Sequence, residues 1–303
     1  MSEHVTAAFE HRSTARVPRG ELWLGSELFV QRQAEDCVAS HIDLCSESGM
    51  DLVSIPVGEP GQYTPGYTLF EPSDIGAAAG SGLFVLAVLS GPFQRLTEAR
   101  GLREALADVA RDPEGFAGTV RRDAAEIHLL VERCVHYGAG AVAIADDIAY
   151  DSGLFVLRQV FDDVLRPSYG ALVEAIHGKG IRAVFHSCGN ISALVPDIVS
   201  AGFDGLSCQA ECVDLLGVKR RYGTDITLLS GLTGDALTDG PLAEEAASGF
   251  VSRIRGLSRG GGFVLASSSG IYASQELLNV QRLYRKADEL LGETEPPQPQ
   301  QAE

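Results

Sequence analysis

Arg182-Ala-Val-Phe-His-Ser-Cys-Gly-Asn190 is a short apolar run that ends in groups able to do chemistry. It reads as a strand stopped by Gly189 and Asn190. Strand side chains alternate between faces, so Val184, His186 and Cys188 share one side while Ala183, Phe185 and Ser187 share the other. An imidazole and a thiolate at i, i+2 suit zinc, or could hold a thiol-type substrate. The same spacing also fits a hydrogen-bonded histidine beside a buried cysteine packed as a small hydrophobe. What surrounds the pair decides between these readings.

Working outward, seven further segments read as strands: 21–28, 51–57, 83–89, 141–145, 205–208, 227–232 and 263–267. Helical patterns separate them. The clearest start is Asp112-Pro113-Glu114, which has an N-cap, a proline at the first helical position and an early acid. The apolar side chains that follow recur at helical spacing. Pro167 predicts a kink in a helix over 160–177. Eight strands alternating with helices predict an α/β protein, a (β/α)8 TIM barrel in a single domain. Its expected span is 20–291, after a polar segment 1–19 and before a disordered tail 292–303. No Gly-x-Gly-x-x-Gly turn follows an early strand, which weakens a doubly wound sheet as the competitor.

At 303 residues, 45% are hydrophobic and 21% charged, enough for a large core and against global disorder. The net charge of −17 argues against nucleic acid or an anionic membrane as the main partner. Neither a signal-peptide pattern nor an apolar run of spanning length is visible, so a cytoplasmic protein is expected. Six cysteines are then expected as reduced thiols.

In a barrel, active sites form at the C-terminal ends of the strands. Besides His186 and Cys188, Cys208 ends the next strand, with Glu211 and Cys212 in the loop beyond it. Cys208 or Glu211 could complete a metal site, or Cys208 could be core. Asp146 and Asp147 follow the fourth strand. They point to opposite faces if the strand continues, so at most one would face the mouth as a general acid or base. Ser267, Ser268 and Ser269 end the last strand at a helix start, a place suited to an anion. The three lysines, Lys179, Lys219 and Lys286, avoid the strand ends, which makes Schiff-base chemistry improbable.

Five stretches carry a family resemblance: Ala145-Asp-Asp-Ile-Ala-Tyr-Asp-Ser-Gly-Leu-Phe155, Phe185-His-Ser-Cys-Gly-Asn-Ile191, Gly202-Phe-Asp-Gly-Leu206, Ser230-Gly-Leu232 and Gly260-Gly-Gly-Phe-Val-Leu-Ala-Ser-Ser-Ser-Gly-Ile271. In this order the chain resembles the uroporphyrinogen decarboxylase superfamily. That superfamily joins the decarboxylase of haem biosynthesis to corrinoid-linked methyltransferases. The decarboxylase uses an Arg-Gln-Ala-Gly-Arg segment for its carboxylate-rich substrate. The corresponding stretch here, Glu21-Leu-Trp-Leu-Gly-Ser-Glu27, is acidic, so the methyltransferase branch is the closer likeness.

That branch implies zinc on a His-x-Cys pair and a later cysteine. His186 and Cys188 match the pair, but Ser269 stands near the later position, so Cys208 is carried as an uncertain third ligand. The resemblance implies methyl transfer between a cobalamin on a partner protein and a thiol or pterin acceptor. A separate corrinoid protein is expected because no Asp-x-His-x-x-Gly signature is present. Asp146, Asp147 and His186 are the expected catalytic residues, and Tyr150, Asn190 and Ser269 are expected to bind substrate or cofactor. A porphyrinogen-type decarboxylase and a non-catalytic tetrapyrrole-binding barrel remain the alternatives.

Overall fold

Seven apolar runs pair as one parallel sheet: β1 (Leu52–Val57), β2 (Phe84–Ser90), β3 (Ala141–Ala145), β6 (Arg182–Ser187), β7 (Gly205–Cys208), β8 (Thr227–Leu232) and β9 (Phe263–Ser267). They lie in the order β1-β2-β3-β6-β7-β8-β9, each beside its sequential neighbour in the sheet. β4 (Ala149–Tyr150) and β5 (Gly153–Leu154) form a separate antiparallel hairpin beyond β3. The computed structural model describes residues 2–58, 64, 66–238, 244–267 and 269–292. Ser268 and the expected tail beyond Gly292 lie outside the described residues.

Alternation along the strands sorts the apolar side chains into two cores. One takes Leu52, Leu86, Ala143, Val184, Leu229 and Val264 from six different strands. The other takes the opposite faces, including Val53, Ala87, Val142, Phe185, Leu228 and Leu265, together with the helices. The sheet is therefore curled around its own small core and wrapped by helices.

The segment 1–19 is less polar in its setting than its sequence suggests. Glu3–Phe9 is helical, and Val5, Ala8 and Phe9 are buried in the inner core. Phe9 stacks on Phe84 at 5.7 Å between ring centroids.

The expected strand 21–28 is the one element that does not form. Only isolated bridges, Arg19 to Leu265 and Leu24 to Ile271, mark its place, and Ser26–Gln31 is helical. Its backbone still bonds to both sheet edges: Gly20 N–H donates to the Leu265 carbonyl at 3.1 Å, and Asp51 N–H donates to the Arg19 carbonyl at 2.7 Å. Side chains break the ladder. The Glu21 carboxylate accepts the Ser267 N–H at 2.9 Å, and the Ser54 hydroxyl donates to the Glu21 carbonyl at 2.7 Å. Those are the backbone groups that regular pairing would have used.

The Asp112 cap forms as read, its carboxylate accepting the Gly115 N–H at 3.0 Å and opening the helix Pro113–His136. Around Pro167, a π-helical turn over Phe161–Leu165 precedes the helix Arg166–His177. Proline has no N–H and crowds the preceding turn, and the wider turn accommodates it. No helix among the described residues is long and apolar enough to cross a membrane. All six cysteines are free thiols.

Candidate active site

The C-terminal ends of β3 and β6 lie side by side, with Ala145 in register with His186. Alternation then decides what the next residues face. Asp146 turns away from the inner core: it accepts the Gln94 N–H at 2.5 Å, the Phe93 N–H at 3.3 Å and the Tyr169 hydroxyl at 2.7 Å. Burial pushes its carboxyl up to about 7, against the pull of the Tyr169, Gln94 and Phe93 donors. Asp147 faces the mouth.

Asp147, His186 and Cys188 converge there, each offering one donor atom, all within 4.8 Å of one another. His186 Nε2 lies 3.7 Å from Cys188 Sγ and 3.9 Å from Asp147 Oδ1. Cys188 N–H donates to Asp147 Oδ1 at 2.7 Å, which fixes the carboxylate. His186 is almost fully buried, its ring edge-on to Trp23 at 4.4 Å and its Nδ1 2.9 Å from Ser207 Oγ. Burial lowers the His186 pKa to about 4, so the ring is neutral at pH 7. Burial also raises the Cys188 thiol, and the Asp147 carboxylate beside it raises it further. Without a compensating cation, Cys188 is therefore a thiol rather than a thiolate.

The cluster opens into a pocket of about 200 Å³. Trp23, Tyr67 and Tyr272 form its aromatic wall, and Ser90, Gln94 and Ser269 give it neutral polar groups. Trp23 and Tyr67 are 6.3 Å apart between centroids. Gly270, at φ +82°, lets the chain pass close to both sides of this wall: a Cβ there would sit 2.8 Å from Trp23 Cβ. Gly189, at φ +76°, makes the turn after Cys188, where a Cβ would meet the Ala149 backbone at 2.6 Å.

The remaining expected site residues stand elsewhere. Cys208 is paired in register with Ser187, on the face opposite His186, and is wholly buried in the outer core. It is not among the converging donors; the residue in register with His186 is Ser207. Asp147 supplies the third donor instead. Asn190 closes a turn, its Oδ1 accepting the Ser192 N–H at 3.1 Å and its N–H donating to the Tyr150 carbonyl at 2.9 Å. Tyr150 is half-exposed on the β4–β5 hairpin, stacked on Phe155. Neither residue lines the pocket, whereas Ser269 does. Sequence reading missed Trp23, Tyr67, Tyr272 and Ser207. Ser207 alone left a signal, because parallel strands in register set a small polar residue beside His186.

Three comparisons bear on the family and the fold. The family profile described as uroporphyrinogen decarboxylase (URO-D) matches residues 75–290. Among curated proteins, a methylcobamide:CoM methyltransferase, MtaA, of Methanosarcina barkeri is 28% identical over 158 residues, 51% of this chain and 43% of the relative. The MtaA of strain Fusaro / DSM 804 is 29% identical over 156 residues, again 51% of this chain and 43% of the relative. The chain thus spans less than half the length of these curated relatives. Among solved structures, a methyltransferase from Methanosarcina mazei superposes with a TM-score of 0.76 at 17% identity, covering 95% of this chain and 98% of that one. A B12-independent methionine synthase from Shewanella sp. W3-18-1 superposes at 0.59 with 13% identity, covering 92% and 97%. At such identities these structures speak to the fold alone.

Proposed function

This chain belongs to the uroporphyrinogen decarboxylase family, and from that premise we propose that it is a corrinoid-dependent methyltransferase. It moves a methyl group between a cobalamin held by a partner protein and a small thiol or pterin acceptor at the Asp147–His186–Cys188 cluster. The observation that carries this reading is the convergence of those three donors at the mouth. Residues 18–25, bonded to both sheet edges, would complete the barrel as an irregular eighth stave. Six free thiols suit a reducing compartment.

The donor set fits zinc. Zinc bonds of about 2.0–2.3 Å in tetrahedral geometry set the donors roughly 3.3–3.7 Å apart. The two separations from His186, 3.7 and 3.9 Å, need only small adjustment, while the Asp147 and Cys188 donors, within 4.8 Å of each other, would close up on the metal. Bound there, zinc would lower the pKa of an acceptor thiol and make a thiolate available at neutral pH. The protein's own groups do the rest. A proton on Nδ1, donated to Ser207 Oγ, leaves the Nε2 lone pair of His186 free for the metal. Asp147 replaces the later cysteine of the family pattern, and Ser269 leaves that side open for an acceptor. The aromatic wall lines the space beside the reacting atoms.

A porphyrinogen decarboxylase is the weaker reading. No lysine or arginine lines the pocket to meet a carboxylate-rich porphyrinogen. Methylcobalamin demethylation tests the proposal, run with zinc-loaded protein against a panel of thiols and tetrahydrofolate. Turnover with at least one acceptor is expected. No turnover with any of them, alongside carbon dioxide release from uroporphyrinogen, would reverse the order of the two readings.

A further inference from the structure

We propose that the pocket beside the cluster is an onium site, taking the positively charged head of a small quaternary ammonium or sulfonium compound and rejecting anionic ones. In naming a substrate class, this rests on the methyltransferase reading.

The first observation is the placement of charge. No lysine or arginine lines the pocket. None can be added by the residues outside the described ones, because 1, 59–63, 65, 239–243, 268 and 293–303 contain neither type. Arg95, adjacent to the lining residue Gln94, points instead to Glu126, with an N–O distance of 2.5 Å. Carboxylates, by contrast, surround the site. Asp147 lines it. Glu98 accepts from two lining side chains, Ser90 Oγ at 2.9 Å and Gln94 Nε2 at 3.2 Å. Glu276 accepts the Tyr272 N–H at 2.7 Å. An anionic head would meet only neutral donors here, such as the Trp23 Nε1–H, and no cationic side chain to pair with.

The second observation is the wall itself. Trp23, Tyr67 and Tyr272 line the same small space, and aromatic rings attract cations at their faces. Both phenols stay protonated at neutral pH: burial pushes Tyr272 up to about 12, and burial and Glu98 raise Tyr67 too. At about 30 Å³ per water, 200 Å³ equals six or seven waters, room for a head group of five non-hydrogen atoms.

Trp23 is the protein's single tryptophan, so its emission reports occupancy of this pocket directly. The test titrates the full chain with choline, with its uncharged isostere 3,3-dimethylbutan-1-ol, and with 2-hydroxyethanesulfonate. Choline is expected to bind about tenfold tighter than the isostere, the size of a desolvated cation–π contribution. The sulfonate is expected to give no saturable change. Tyr67→Leu and Tyr272→Leu should each weaken choline severalfold while leaving the isostere unaffected, which a merely structural role of either ring would not do. Equal binding of choline and its isostere, tighter binding of the sulfonate, or no response to choline would each overturn the onium site. Methyl transfer to an uncharged thiol by a protein indifferent to choline would sink this inference alone. Choline binding without methyl transfer to any acceptor would sink only the methyltransferase reading.

Discussion

The two sides of the mouth are built in different ways. On the β3–β6 side, regular parallel strands end in Asp147, His186 and Cys188, and alternation aims all three at one point. On the β9 side no regular strand completes the pairing. There Glu21, almost fully buried, ties the chain together: it accepts from Ser267 N–H at 2.9 Å and from the Tyr284 hydroxyl at 2.9 Å. Both sides thus hold a carboxylate, but the neighbours give them opposite roles. Asp147 meets a neutral imidazole and a thiol that can still bind something. The Glu21 carboxylate accepts from Ser267 and Tyr284, groups that tie β9 and the last helix to this segment.

That contrast predicts a crossed pair of effects. Asp147→Ala should weaken zinc binding by at least about 100-fold, above the 10–100-fold typical of outer partners, with little change in folding stability. Glu21→Ala should leave zinc affinity unchanged and destabilise the fold by about 3 kcal/mol, because Ser267 N–H and Tyr284 O–H lose their acceptor. Zinc titration and urea unfolding of both variants check the crossing. If either variant moved both quantities alike, the division between the two sides would fail.

The pH dependence sharpens the comparison. Glu21 is raised by burial from 4.5 to about 7. A carboxyl raised on folding contributes stability fully present below its unfolded pKa and lost as pH rises through its folded pKa. Glu21 should therefore cost stability between about pH 4.5 and 7, up to about 3 kcal/mol. His186 works in the other direction: its pKa is lowered from 6.5 to about 4, so its contribution is lost as pH falls through that window. Glu21→Gln should remove part of the decline toward neutral pH, the rest belonging to Asp146, which burial also raises to about 7, and His186→Gln should remove part of the decline toward acid. Urea midpoints from pH 4 to 8 distinguish the two. A smaller effect is expected at Ser207. Ser207→Ala should lower zinc affinity about tenfold by freeing the His186 ring, with Ser207→Thr restoring it. Equal affinity in all three proteins would remove Ser207 from the site.

Much of the first side was legible in the sequence, and little of the second. Periodicity alone placed His186 and Cys188 on one face and set Asp146 against Asp147, because those residues carry on the alternation of strands that end at Ala145 and Ser187. The parity of Cys208 was not legible from its own strand. It follows from pairing with β6, where Ser207 rather than Cys208 meets His186. Asp146 became a structural group because its face packs against the start of the helix Pro92–Arg100 and against Tyr169. The region 18–25 looked like a strand by composition. Its ladder is interrupted where the Ser54 hydroxyl takes the Glu21 carbonyl and the Glu21 carboxylate takes the Ser267 N–H, contacts separated by 33 and 246 residues. The aromatic wall draws Trp23, Tyr67 and Tyr272 from three distant stretches, and no local pattern joins them.

Metal content of the purified protein, wild type against Cys188→Ser, tests the central claim most directly. The geometry of Asp147, His186 and Cys188 predicts about one zinc per chain in the wild type and little in the variant, with both proteins folded. Equal zinc in the two, or none in either after purification in zinc-containing buffer, would contradict it.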